Sequence, residues 1–237
     1  MQWPNVDVTS GVALVLRRVG SVVGLGMLGF CAGVAQPYWP AEVGTSVQGY
    51  QDDFNGTALA AQWQVSGADV YSVGSGMLTV SSTGGDPNHL LCAGTAYARS
   101  VQEVLARVRI REFGTGDPCR GGVGLVVDAD SSEGINYHFR DLGAGRHLSM
   151  LDDLRAWGPD QDVVWQNNTW YWLRLRHEPD APGQGGVNDV FAKVWLADGS
   201  VSEPAAWQLT WDYTPSRSAR TGLAGITAGS SAGMSQF

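Results

Sequence analysis

Val104, Ala106, Val108 and Ile110 alternate with Leu105, Arg107, Arg109 and Arg111. A repeat of two sends every second side chain to the same face, which is the geometry of a half-buried strand and excludes a helix over this segment. The repeat recurs in Tyr171, Leu173 and Leu175 against Trp170, Trp172, Arg174 and Arg176. It appears a third time in Val190, Ala192, Val194 and Leu196 against Phe191, Lys193 and Trp195. Shorter runs at 69–73, 77–81, 123–128, 135–140, 147–151, 207–211 and 222–227 lie between turn signals such as Gly74-Ser75-Gly76 and Gly84-Gly85-Asp86-Pro87. Many short strands, 32 glycines and no helical period predict an all-β sandwich or barrel. At 237 residues with 43% hydrophobic content, the chain can bury a sizeable single core.

The beginning of the chain has a different character. Arg17 and Arg18 precede an uncharged run from Val19 to Ala35, with small residues at Gly33 and Ala35. This is the pattern of a bacterial signal peptide or an uncleaved N-terminal anchor, and both place the domain outside the cytoplasm, secreted or in the cell envelope. Residues 1–35 are therefore set apart as the export segment, 36–49 as a linker and 50–237 as the domain. A membrane is expected as a partner only through an uncleaved N-terminal segment. The net charge of -8 argues against nucleic acid, because neutralising phosphates requires a basic surface. Two cysteines follow the export segment, Cys92 and Cys119, and an oxidising compartment would let them pair. Sequence leaves a disulfide and two separate thiols equally open.

Several segments, taken in order, resemble a known family. They are Asp52-Asp53-Phe54-Asn55-Gly56 followed by Trp63, Glu103 to Arg111, Ser149 to Gly158, Thr169 to Arg176, and Phe191 to Gly199. Together they look like the laminin-G-like branch of the concanavalin A-like lectin/glucanase superfamily. The resemblance implies a two-sheet antiparallel jelly-roll sandwich, with one concave sheet whose face or rim loops hold a sugar. Met234-Ser235-Gln236-Phe237 starts what would be the closing strand and stops at once, which predicts a truncated final strand that leaves Asp52 to Phe54 without a partner.

Glycosidases on this fold draw two carboxyls from one strand as Glu-x-Asp-x-Glu or a near variant, about 5 Å apart in retaining enzymes. The chain has no such run. Glu178 is the only Glu with Asp two places on, and that pair leads into the turn Ala181-Pro182-Gly183. No catalytic residue is assigned and no cofactor is expected. Asp128-Ala129-Asp130 opens like a calcium loop but lacks the glycine and the closing Glu such a loop requires, so it reads as a hairpin turn. Asp52 and Asp53 are the candidates for a structural calcium. The four histidines, His89, His138, His147 and His177, show no zinc-ligand spacing.

The expected function is a non-catalytic carbohydrate-binding module that binds a polysaccharide or glycoconjugate weakly. On 135–140 the alternation turns Asn136, His138 and Arg140 to one side, where their donors and acceptors suit sugar hydroxyls. Trp157, read as part of a loop beyond a hairpin, would supply the apolar platform for a sugar ring. Whether His147 joins that side depends on a register that sequence does not fix. A second candidate surface is the ladder Arg107, Arg109, Arg111, Arg174, Arg176 and Lys193, which would suit an acidic glycan or pair with local carboxylates. The alternatives are a hydrolase or lyase with an unrecognised site and a structural or protein-interaction module of the cell envelope.

Overall fold

The computed structural model describes residues 12–13, 40–44, 49–83, 88–93, 101–116, 119–129, 133–143, 145–153, 156–179, 188–212, 221–229 and 231–237. Apart from Val12 and Ala13, the expected export segment lies outside the described residues. The described chain is made of strands. The first part contains β1 (Val12–Ala13), β2 (Trp63–Ser66), β3 (Val70–Gly74), β4 (Met77–Thr83), β5 (Asn88–Cys92), β6 (Gln102–Gly116) and β7 (Cys119–Val127). There follow β8 (Ile135–Asp141), β9 (Arg146–Asp152), β10 (Ala156–Asp162), β11 (Trp170–Glu178), β12 (Asp189–Leu196), β13 (Leu209–Asp212), β14 (Leu223–Gly229) and β15 (Ser231–Gln236).

They form two sheets packed face to face. The first runs β13-β12-β11-β6-β15-β4-β3, with β1 beside β6 as a two-residue parallel pair. The second runs β10-β9-β8-β7-β14-β5-β2. Every other pairing is antiparallel, so the jelly-roll sandwich expected from the sequence is the fold observed. The three long alternating segments became β6, β11 and β12, adjacent in one sheet. Of their inward residues, Val104, Ala106, Leu173 and Ala192 are at most 1% exposed and share one core with Leu90, Val123, Tyr137 and Met150 of the other sheet.

The outer face of the first sheet carries a second, smaller core. Leu105, Trp172, Trp195 and Ala197 are covered by Val43, which is 7% exposed, and Trp172 stacks on Trp195. The expected linker is thus tied down over 40–44. Glu203 N donates to Glu42 O at 2.8 Å, Gly44 N donates to Glu203 Oε2 at 2.9 Å, and Trp172 Nε1 donates to Glu42 Oε1.

Half of the arginine ladder is consumed on this face. Arg174 Nη1 donates to both Glu203 oxygens at 2.6 and 2.7 Å and Arg174 Nε to Glu103, while Lys193 Nζ reaches Glu203 Oε1 at 3.0 Å. Arg176 pairs with Glu178 and Glu103. For these three cations the cross-strand pairing reading replaces the acidic-glycan one. Burial works to raise the Glu203 carboxyl, but the hydrogen bonds and charges of Lys193 and Arg174 outweigh it and hold the group below the usual carboxylate range.

The closing strand also differs from expectation. β15 runs six residues between β4 and β6, and Phe237, fully buried, exchanges two backbone hydrogen bonds with Leu78. Asp52 to Phe54 form no strand. Asp52 instead accepts from Phe54 N at 2.7 Å, Trp63 Nε1 at 2.7 Å and Tyr50 Oη at 3.0 Å, fixing Phe54 at φ 49° beneath Trp63. With its carboxylate so engaged and Asp53 turned to Asn55, this pair does not fit a calcium site. Among the described residues no three His, Cys, Asp or Glu side chains group to hold a metal.

Candidate functional site

The side of the second sheet turned away from the core carries the polar residues. Register pairs Asn136 with Gly124 and Leu151, His138 with Gly122 and Ser149, and Arg140 with His147. Directly paired residues share a face, so His147 and Ser149 join Asn136, His138 and Arg140. His89 on β5 belongs there too, opposite Thr227, which in turn opposes Gly122.

This face is strongly curled. His89 and Asp153, just beyond β9, are separated by three intervening strands, so on a flat sheet they would stand roughly 19 Å apart. Yet His89 Nε2 lies 3.2 Å from Asp153 Oδ2, and Asn136 Nδ2 donates to the same oxygen at 2.5 Å. Glycine makes this approach feasible. A Cβ at Gly124 would stand 2.6 Å from Asn136 Oδ1 and 3.6 Å from His89 Nδ1, so only a residue without a side chain leaves the two flanks room to lean together. Because a carboxylate only accepts, Asp153 fixes the Asn136 amide and, in neutral His89, leaves Nδ1 as an acceptor. Among the described residues, His89 Nδ1, Asn136 Oδ1 and Asp153 Oδ1 have no hydrogen-bond partner.

The centre of the concave face is therefore filled. His89, Asn136, His138, Ser149 and Asp153 are at most 1% exposed. Asn136 and His138, read from the sequence as an open polar shelf, are buried. The alternation located their side correctly, but it carries no information about what lies over that side.

Accessible polar groups appear at the rim. Trp157 belongs to strand β10, not to a loop, at the edge of the sheet with a bulge between Trp157 and Asp160. An edge strand tolerates Pro159, because its missing N–H faces no neighbour. Gly158 lets Trp211 of β13 pack against β10 and close the sandwich there, since a Cβ would fall 2.6 Å from the Trp211 ring.

Trp157 is 42% exposed, with the Arg140 guanidinium 3.6 Å from its ring centroid and the His138 ring edge-on at 5.8 Å. Asp160 accepts from Ser149 Oγ and Arg140 Nη1, and Asp162 lies 2.8 Å from His147 Nδ1. The structure thus brings Trp157, Arg140 and His138 together and leaves Asn136 in the buried cluster with His89 and Asp153. Sequence reasoning missed His89 because β5 is buried on both faces and shows no alternation.

Cys92 is a fully buried free thiol. Leu91 and Gly124 both oppose Gly225, while Cys119 opposes Arg140 near the far end of β7. That places the two backbones roughly 20 Å apart, against the 7 Å limit for a disulfide, so the pairing left open by the sequence is resolved as absent.

No protein-family model matches the chain, and no curated protein matches its sequence. Among solved structures, it is similar to the carbohydrate binding module CBM66 from Bacillus subtilis, at 12% identity and TM-score 0.50, over 73% of this chain and 90% of that one. A functionally unknown protein from Saccharomyces cerevisiae aligns at 13% identity and TM-score 0.50, over 74% and 92% of the two chains. The Emp47p carbohydrate recognition domain aligns at 14% identity and TM-score 0.45, over 78% and 89%. Two packed sheets of mostly antiparallel strands, one of them curled around a glycine floor, together with the two alignments at TM-score 0.50, give the chain a jelly-roll sandwich fold.

Proposed function

We propose that this domain is an exported, laminin-G-like carbohydrate-binding module that contacts a glycan at the rim of its curled sheet, around Trp157, and does so without cleaving it. The observation that carries the reading is Trp157 itself. An indole 42% exposed, with one neighbour fixed as a cation and another as an imidazole edge, is a rigid apolar plate ringed by hydrogen-bonding groups. Arg140, His147, Asp160 and Asp162 supply those groups. The fold is one on which a carbohydrate-binding module is built.

The filled centre narrows the mode of binding. A polysaccharide has no trough to lie in across Asn136 and His138, so one or two sugar units at the rim make the contact. Few contacts and a wet ligand give dissociation constants of roughly micromolar to millimolar, about 4 to 8 kcal/mol. Export rests on the Arg17-Arg18 and Val19 to Ala35 pattern.

A glycan array with the purified protein identifies the ligand, and titration of Trp157→Ala then tests the site. Affinity falls about tenfold if the ring carries a sugar, whereas unchanged affinity removes the rim from the site. Asp160 and Asp162 lie two apart on β10 and keep a hydrolase reading testable. Release of reducing ends that disappears in Asp160→Asn without unfolding would replace binding by catalysis.

A further inference from the structure

The outer face of the first sheet has two halves of unlike electrostatic character. In one, Arg174, Arg176 and Lys193 are matched by Glu103, Glu178 and Glu203. In the other, Arg109 and Arg111 lie two positions apart on β6, across a bulge at which Ile110 opposes Ser235 and Glu112 opposes Met234. No carboxylate of the described residues forms an ion pair with either of them.

Arg109 is held in place. Its Nε and Nη2 both donate to Gln236 Oε1, the former at 3.1 Å, and Gln236 Nε2 donates to Thr79 Oγ1 at 3.1 Å. Its guanidinium lies 4.5 Å from the Trp170 ring centroid, and Arg107 lies 4.7 Å from the same ring. Nη1 is left for a ligand. Arg111 is exposed. Burial, and next the Arg111 charge, lower the proton affinity of Arg109 below the ordinary guanidinium range. A fixed guanidinium beside a second one, with neither in an ion pair among the described residues, is unfavourable alone and becomes favourable when an anion bridges them.

We propose that Arg109 and Arg111 form a second ligand site, for the carboxylate or sulfate group of an anionic glycan. Two guanidinium forks suit a planar or tetrahedral oxyanion through paired N–H donors. The charge pattern selects this occupant over other polyanions. A net charge of -8 opposes nucleic acid, whose binding depends on many phosphate contacts made by a basic surface. Recognition of an anionic membrane draws on clusters of about four to eight cations, more than this strip offers. The site lies on the opposite sheet from Trp157 and does not depend on the rim reading.

The test is affinity electrophoresis of the full chain in gels containing polygalacturonate, dextran sulfate or neutral dextran, with a single-stranded oligonucleotide as a competing polyanion. Retardation by one or both charged polysaccharides and not by dextran is expected, weakening as salt rises. Polygalacturonate alone identifies a carboxylate site and dextran sulfate alone a sulfate site. Arg111→Gln, at an exposed position, should weaken retardation at least threefold, and Arg109→Gln/Arg111→Gln at least tenfold. Trp157→Ala and Arg176→Gln should leave it unchanged. Equal retardation of Arg111→Gln and the parent, no retardation in any charged gel, or equal binding of the oligonucleotide would overturn the proposal. Loss in Trp157→Ala but not in the arginine variants would assign the anion to the rim and equally overturn it.

Discussion

Replacing Glu203 by Gln removes one charge from the outer face while keeping the side-chain shape. In the parent, the carboxylate receives Arg174 on both oxygens, Lys193 on one and Gly44 N on the other. The side chains of Arg174, Glu203 and Lys193 are 4%, 5% and 9% exposed, so the two cations left behind cannot recover full hydration. Breaking a buried pair by removing one partner costs about 3 to 5 kcal/mol. Arg174 keeps Glu103 and Lys193 keeps the face of Trp207, which puts the expected loss near the lower end, about 3 kcal/mol. At this chain length that is roughly 6 to 12 °C in Tm.

Urea unfolding followed by tryptophan fluorescence, with parent and variant sharing one m-value, measures it. The pH dependence supplies a second readout. Glu203 is held below the ordinary carboxyl range in the folded protein, so its contribution is complete above the unfolded value of about 4.3 and is lost as pH falls through the lower folded value. The difference between parent and variant should therefore shrink on acidification. A loss under about 1 kcal/mol at pH 7, in the range of exposed pairs, or a difference that grows on acidification, would refute the buried network.

Three further outcomes follow from particular contacts. Gly124→Ala places a methyl 2.6 Å from Asn136 Oδ1 and should cost about 1 to 3 kcal/mol in urea unfolding, whereas a neutral result would deny the glycine floor. Cys92, whose thiol burial and then the Asp52 charge push up to about 12, should resist an aromatic disulfide reagent in the folded protein and react once denatured, with or without reductant; reaction that needs reductant would indicate a disulfide. Asp52→Ala strips acceptors from Trp63, Tyr50 and Phe54 and should cost about 2 kcal/mol with a shift in tryptophan emission, and unaltered emission would place Trp63 elsewhere.

The sequence made the fold legible wherever the two faces of a strand differ in residue type. In β6, β11 and β12 the alternation named the core residues directly, because aliphatic residues and Tyr171 face the main core while the outer face, itself partly covered, is built largely of Arg, Lys and Trp. β5, with the sequence Asn88-His89-Leu90-Leu91-Cys92, is buried on both sides and shows no such alternation, which is why it went unread and His89 with it. β10 was hidden for another reason. Gly158 and Pro159 are turn residues in most settings, and only an edge position makes them compatible with a strand. The site was half legible. Alternation placed Asn136, His138 and Arg140 on one side, but the meeting of His89 with Asp153 arises from the curl of a seven-stranded sheet, and the linker strap arises from Val43 finding Trp172 and Trp195. Both are long-range events with no local signature.

β15 has a bearing on how the molecule assembles. In the first sheet, the β3–β4 hairpin pairs with the remaining described strands only through β15, which seats Gln236 between Thr79 and Arg109, partners 157 and 127 positions away along the chain. Closing such distant loops costs entropy before any contact compensates, so this pairing belongs to the late, rate-limiting part of folding. Amide protons of β4 should accordingly exchange at the rate at which β15 detaches, and the hairpin should be released as one cooperative unit while the β6–β11–β12 block still holds.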